Sequence, residues 1–180
     1  MRSRFMPEPI NSKTALTYWL LPASPAREFF RETICRLAAA CDAPVFEPHL
    51  TLAVGPDSIA QAQQILTNVA IAPIELRSSG VHFTSKFTKT LFVRFDSTAA
   101  LEQLRESLGV ETGAEPFDPH VSLVYKTLSP GKQSELAGTV QLPFQNVGFD
   151  ALEVVRCRIP VATSSDVAAW ETIGIRQFVD

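Results

Sequence analysis

Two segments, Pro48-His49-Leu50-Thr51-Leu52 and Pro119-His120-Val121-Ser122-Leu123, share one layout: a histidine after a proline, a hydroxyl two residues on, and aliphatic residues between and after. Side chains alternate faces along an extended strand. Each segment therefore aims an imidazole and a hydroxyl to one side and sends its aliphatic residues into a core. A lone His-x-Thr in a strand says little, because threonine and aliphatic residues are common there. Here the chain has 3 histidines, and two of them stand in matched frames, each preceded by an aromatic-acidic pair, Phe46-Glu47 and Phe117-Asp118. The match predicts two equivalent strands facing one cleft.

The rest of the chain is arranged around this repeat. Ala15 to Leu21 is aromatic and aliphatic, stops at Pro22 and reads as a buried strand. A helix follows, with Ser24 as N-cap and Pro25 in its first position, and an apolar stripe of Phe30, Ile34, Leu37 and Cys41. Asp42 to Pro44 ends it. The first histidine strand, His49 to Val54, stops at Gly55-Pro56; Asp57 then caps a second helix with Ala62, Ile65, Leu66 and Val69 on one face. A strand over Ile74 to Phe83 closes this half.

The order then recurs. A strand at Thr90 to Phe95 precedes a helix capped by Ser97, with Leu101, Leu104, Arg105 and Leu108 in its repeat and Gly109 at its end. The second histidine strand, His120 to Tyr125, leads to a short helix opened by Ser129-Pro130, and Phe149 to Ile159 and Trp170 to Phe178 read as closing strands. The spacing of the histidines is too long for a short solenoid repeat and suits a duplicated half-domain. The expected fold is α+β: two pseudo-symmetric lobes, each an antiparallel sheet with helices on its outer face, with a central cleft between the His-x-Thr/Ser strands. Residues 1–180 are expected to form a single such unit.

Two imidazoles in one cleft supply a proton acceptor and a proton donor near neutral pH, since the unperturbed pKa of histidine is about 6.5. Two hydroxyls add hydrogen bonds to a charged group. That equipment suits attack of water on a phosphate ester without a metal. Cys35, Cys41 and Cys157 form no Cys-x-x-Cys pair, so neither a zinc site nor a disulfide framework is suggested, and no cofactor is expected. Cys35 and Cys41 read as small core residues of the first helix. With a formal charge of −3 the chain lacks the broad basic surface that long nucleic acid requires. The basic N-terminus, Met1 to Phe5, is interrupted by Pro7, Glu8 and Pro9 before any apolar run, and no run approaches a membrane span. A cytoplasmic monomer without membrane contact is expected.

The paired motifs resemble the signature of the two-histidine phosphoesterase superfamily, and the chain as a whole resembles the cyclic phosphodiesterases of plants and fungi. The similarity is carried by Tyr18-Trp19-Leu20-Leu21-Pro22, by Phe46 to Val54, by Ser78-Ser79-Gly80, by Asp118 to Tyr125 and by Trp170-Glu171-Thr172-Ile173. It implies metal-free hydrolysis of a small nucleotide cyclic phosphate, either a nucleoside 2′,3′-cyclic phosphate opened to the 2′-phosphate or ADP-ribose 1″,2″-cyclic phosphate. It also implies that His49 and His120 are the acid-base pair and that Thr51 and Ser122 hold phosphate oxygens. Tyr125 matches a tyrosine that organises the phosphate site, although strand parity points it away, so a strand end or twist must bring its hydroxyl round. Two rival functions are an RNA 2′-5′ ligase and cyclic phosphodiesterase acting on RNA ends, and a non-catalytic nucleotide-binding module.

Three further readings stay two-sided. Trp19 is either a stacking platform for a nucleobase or a core tryptophan. The polar stretch Thr84 to Thr90 is either a rim that attracts phosphate or a solvated hairpin. His82 reads as a surface histidine or a lining residue, and Lys126 follows the second motif closely enough to meet the same anion.

Overall fold

A computed structural model describes residues 12–69, 72–111 and 116–179. The basic N-terminal segment read above lies outside them. The described elements are β1 (Lys13–Pro22), α1 (Ala26–Cys41), β2 (Leu50–Pro56), α2 (Ile59–Asn68), β3 (Ile74–Phe83), a 3-10 turn (Phe87–Lys89), β4 (Leu91–Phe95), α3 (Ala99–Ser107), β5 (His120–Val124), α4 (Pro130–Gly138), β6 (Asn146–Ile159), α5 (Ser164–Ala168) and β7 (Glu171–Gln177). The repeated order of strand, helix, histidine strand, helix, strand is therefore present. The 3-10 turn and α5 have no counterpart in the sequence reading.

Helix ends follow local chemistry one residue away from where the sequence suggests. Asp57 is taken by Arg156, at 2.6 and 3.1 Å, and the cap of α2 falls to Ser58, whose hydroxyl accepts from the Gln61 N–H. Ser97 donates to Glu102, and Thr98 caps α3. Ser24 donates to Glu28, while Pro25, in helical conformation, takes the N-cap position without a side-chain bond. Ser129 caps α4 as expected. Gly109 ends α3 with φ +60°, a left-handed conformation that glycine adopts without a Cβ penalty.

In α1 the stripe Phe30, Ile34 and Leu37 is fully buried, but Cys41 is only partly so and Cys35, off the stripe, is exposed. Cys35 is thus not a core residue. The helix lies against β5, α2 lies against β7 and α4 against β3. At the second contact Gly174 lets Leu66 approach so closely that a Cβ there would sit 2.8 Å from its Cδ1.

All ladders are antiparallel and join into one sheet of order β1-β2-β5-β4-β3-β6-β7, with a further β1–β6 ladder that closes a circuit. β6 makes this possible by its length. One edge pairs with β1 from Phe149 to Ile159, while the other pairs first with β3 and then with β7. The circuit contains two three-strand ladders, β2-β1-β6 and β5-β4-β3. In each, the third strand comes from the other half of the chain: β3 follows the first histidine strand yet pairs with β4, and β6 follows the second yet pairs with β1.

The two histidine strands meet at a single ladder pair, Leu50↔Val121. Both residues directly follow a histidine. Continuing the antiparallel register by one step each way sets His49 opposite Ser122 and Thr51 opposite His120, all on the face opposite to Leu50 and Val121. The four motif residues thereby form a diagonal square at the seam of the sheet.

Candidate active site

His49 and His120 both line one cavity of about 330 Å³, together with Thr17, Trp19, Thr51, Thr88, Tyr125, Cys157 and Trp170. The two imidazoles are held alike. His49 Nδ1 lies 2.6 Å from the Glu47 carbonyl and His120 Nδ1 lies 2.7 Å from the Asp118 carbonyl. A carbonyl only accepts, so Nδ1 carries the hydrogen in both rings and Nε2 is the nitrogen left to the cavity.

Each ring is also backed by an aromatic side chain from the neighbouring strand. Trp19 of β1 stacks on His49, with centroids 3.7 Å apart and planes 11° apart. Phe92 of β4 meets His120 edge-on at 5.2 Å. These aromatics occupy matching positions, for Trp19 pairs with Thr51 and Phe92 with Ser122 across their ladders. Trp19 is 4% exposed, so its place is the wall behind His49. The open face that a nucleobase platform needs is occupied by the imidazole.

Burial governs the electrostatics. His49 is depressed from 6.5 to about 4, chiefly because its charged form is desolvated; its bond to Glu47 opposes this and His120 adds to it. His120 is lowered for the same leading reason, with the Asp118 carbonyl bond opposing and the nearby Lys89 contributing. The Tyr125 phenol is buried and held far above its usual range, so it remains a proton donor. Its hydroxyl lies 3.4 Å from His49 Nε2. Because β5 ends at Val124, the chain turns there and brings Tyr125 round to the cavity, the geometry that strand parity alone denied.

The two motif hydroxyls differ. Thr51 lines the catalytic cavity and a second one of about 340 Å³ beside it. Ser122 is 4% exposed and donates to the Thr88 carbonyl at 2.8 Å. It is absent from the walls of both cavities, where Thr88 appears instead. The second cavity shares Thr51, Thr88 and His120 with the first and adds Lys86, Lys89, Arg105, Phe117 and Asp118.

The stretch Thr84 to Thr90 is the connection of the β3–β4 hairpin, exposed at Ser85 and Lys86 but pinned at both ends. Thr90 is fully buried and bonds the carbonyls of Lys86 and Lys126, while Thr84 bonds that of Lys89. This pinned turn delivers Thr88 and Lys89 to the site. His82 donates to the Ser79 carbonyl and Lys126 is held by Asp42, and neither lines these cavities. Sequence reasoning gave Thr88 and Phe92 no site role of their own and used Trp170 only as part of the family resemblance; the position of Phe92 in its half, matching that of Trp19, was the available signal. Among the described residues no group of three or more His, Cys, Asp or Glu is placed to hold a metal ion.

An antiparallel α+β sheet with two His-x-Thr/Ser strands paired at its seam is the arrangement of a two-histidine phosphoesterase. Residues 14–178 match the family model described as cyclic phosphodiesterase-like protein, and the chain belongs to that family. Among solved structures, E. coli LigT in complex with 3′-AMP is similar over 93% of this chain and 99% of its own, at TM-score 0.56 and 15% identity. The protein TT0787 of Thermus thermophilus is similar over 91% of this chain and 97% of its own, at TM-score 0.57 and 15% identity. At such identity the likeness is one of fold. No curated protein matches the chain.

Proposed function

We propose that the protein hydrolyses small cyclic phosphodiesters of the nucleotide class, opening a nucleoside 2′,3′-cyclic phosphate to the 2′-phosphate and ADP-ribose 1″,2″-cyclic phosphate to the 1″-phosphate. The observation that carries this reading is the pair of imidazoles on one cavity, each with Nδ1 tied to a carbonyl and Nε2 left for chemistry.

The two rings divide the work by burial. His49, the more depressed, is neutral at pH 7, and its unprotonated Nε2, beside the Tyr125 hydroxyl, takes a proton from water as the water oxygen attacks phosphorus. His120, in its protonated form, donates from Nε2 to the departing ribose oxygen as the bond from that oxygen to phosphorus breaks. Thr51 donates to a non-bridging phosphate oxygen while charge builds there. Two imidazoles supply both proton transfers, so the reading needs no metal.

The second cavity favours a substrate with a further anionic group. Lys86, Lys89 and Arg105 line it together with Asp118, with which Lys89 pairs, while Arg105 pairs with Glu102. ADP-ribose cyclic phosphate or the cyclic-phosphate end of an RNA would use that charge, whereas a bare mononucleotide would not. The structural neighbour LigT holds 3′-AMP, which supports a nucleotide in a cleft of this fold.

The test is product analysis of ADP-ribose cyclic phosphate, 2′,3′-cyclic AMP and a cyclic-phosphate-ended RNA side by side, with EDTA present. Turnover to the 2′-phosphate of the AMP and RNA substrates and to ADP-ribose 1″-phosphate is expected, reduced about 10²–10⁴-fold in His49→Ala and His120→Ala. Binding without turnover would make the protein a nucleotide-binding module, and activity restored only by a divalent ion would overturn the mechanism.

A further inference from the structure

Both imidazoles hang from the same three-residue device, whose carboxylates take no part in the proton transfers above. In Glu47-Pro48-His49 and Asp118-Pro119-His120, the acidic residue offers its carbonyl to the imidazole. Its carboxylate is in turn gripped by two cations. Glu47 receives Arg27 Nε at 2.8 Å and Arg31 through Nη2 at 2.8 Å and Nε at 3.0 Å. Asp118 receives Arg94 through Nε at 2.9 Å and Nη2 at 3.2 Å, and also Lys89.

The cations come from different places. Arg27 and Arg31 lie on α1, whereas Lys89 ends the 3-10 turn and Arg94 lies on β4. A repeated fold alone would supply them from matching positions, so the shared outcome attaches to the acidic residue and not to the scaffold. Partly exposed ion pairs contribute little to stability. What these pairs can fix is a peptide group. The proline between acid and histidine is buried in both copies and has a fixed φ and no N–H, so few soft torsions separate the gripped residue from the ring. Lys89 and Arg94 also pack over Phe92, at 4.7 and 5.5 Å, the ring that backs His120.

We infer that Arg27, Arg31, Lys89 and Arg94 are positioning residues that act through Glu47 and Asp118 to hold His49 and His120 with Nδ1–H on a carbonyl and Nε2 on the cavity. The inference rests on the two histidines being the acid-base pair.

The test uses the full chain with Arg94→Gln, Arg94→Lys and Arg31→Gln. Two readouts are taken: imidazole ¹⁵N shifts at a pH where both rings are neutral, and kcat and KM on 2′,3′-cyclic AMP. Arg94→Gln is expected to lower kcat by about tenfold to a hundredfold with little change in KM, since small misplacements of a reacting group have effects of that size. The His120 nitrogens should move towards a tautomer mixture while those of His49 stay put. Arg31→Gln should do the reverse, and Arg94→Lys, which keeps a charged donor, should recover part of the loss. Unmoved nitrogen signals, with or without a fall in rate, would overturn the inference and leave the ion pairs purely structural. If Arg94→Gln unfolds, the other two variants decide by the same readouts. Failure of the parent to cleave 2′,3′-cyclic AMP counts against the proposed function, whereas the nitrogen signals still decide the clamp.

Discussion

Thr51 and Ser122 hold the same place in their motifs, yet the residues around them give them different hydroxyl partners. Thr51 opens onto both cavities, while Ser122 spends its hydrogen on the Thr88 carbonyl. Thr51→Val should therefore lower kcat/KM about ten- to a hundredfold, the effect of losing one hydrogen bond of about 1.5–3 kcal/mol to a charged group. Ser122→Ala should stay within about threefold in kcat/KM and lose about 1 kcal/mol of stability, because it leaves a buried carbonyl without its donor. Equal losses in kcat/KM would show that Ser122 also reaches the substrate. Burial has a second consequence at this scale. Both histidines titrate below the ordinary 6.5, His49 at about 4, and kcat/KM reports the free enzyme. The productive form, one ring neutral and one protonated, is then most abundant on the acid side of pH 6.5. A kcat/KM profile against pH should peak there and fall as pH rises through the value of His120; an optimum above pH 7 would contradict this.

Elements were legible where a period or a punctuating residue announced them. The Phe30, Ile34 and Leu37 stripe, the span of β3 and the start of α4 at Ser129-Pro130 all follow from the sequence. What was illegible is competition between neighbouring polar residues for one role. Asp57 and Ser97 are sound caps in isolation, but Arg156 and Glu102 engage them through contacts that local pattern does not show. The cap moves one residue on. Accordingly Thr98→Ala should cost about 1 kcal/mol, the usual effect of losing a cap, and Ser97→Ala only a few tenths, as for an exposed side chain. Urea unfolding of the two variants checks the order, and a larger loss for Ser97→Ala would restore it as the cap. The same kind of competition hid the site's turn. Thr84 to Thr90 looks solvated by composition, and only the carbonyls that Thr84 and Thr90 find convert it into a fixed support for Thr88 and Lys89.

At the scale of the molecule, the repeat was readable but the exchange of third strands was not, because periodicity tells which residues form a strand and not which edge it joins. That exchange closes the circuit through β6 and brings the two histidine strands to one seam, with the rings walled in by Trp19, Phe46, Trp170 and Phe92. Closure has an energetic consequence that can be measured. A histidine titrating near 6.5 in the unfolded chain and at about 4 in the fold binds more protons when unfolded throughout that interval. Stability should then rise with pH across it, and the contribution present above pH 6.5 should be lost as pH falls through 4. For His49 the full loss is about 3 kcal/mol, from about 1.4 kcal/mol per pKa unit. Carboxylates titrate in the same window, so the informative quantity is a difference: urea unfolding of the parent and of His49→Gln at pH 7 and at pH 4. The parent should lose about 3 kcal/mol more than the variant, which has no ring to charge. Equal losses would mean that His49 is not shielded from water in the folded protein, and the division of labour that makes it the base would fail with that result.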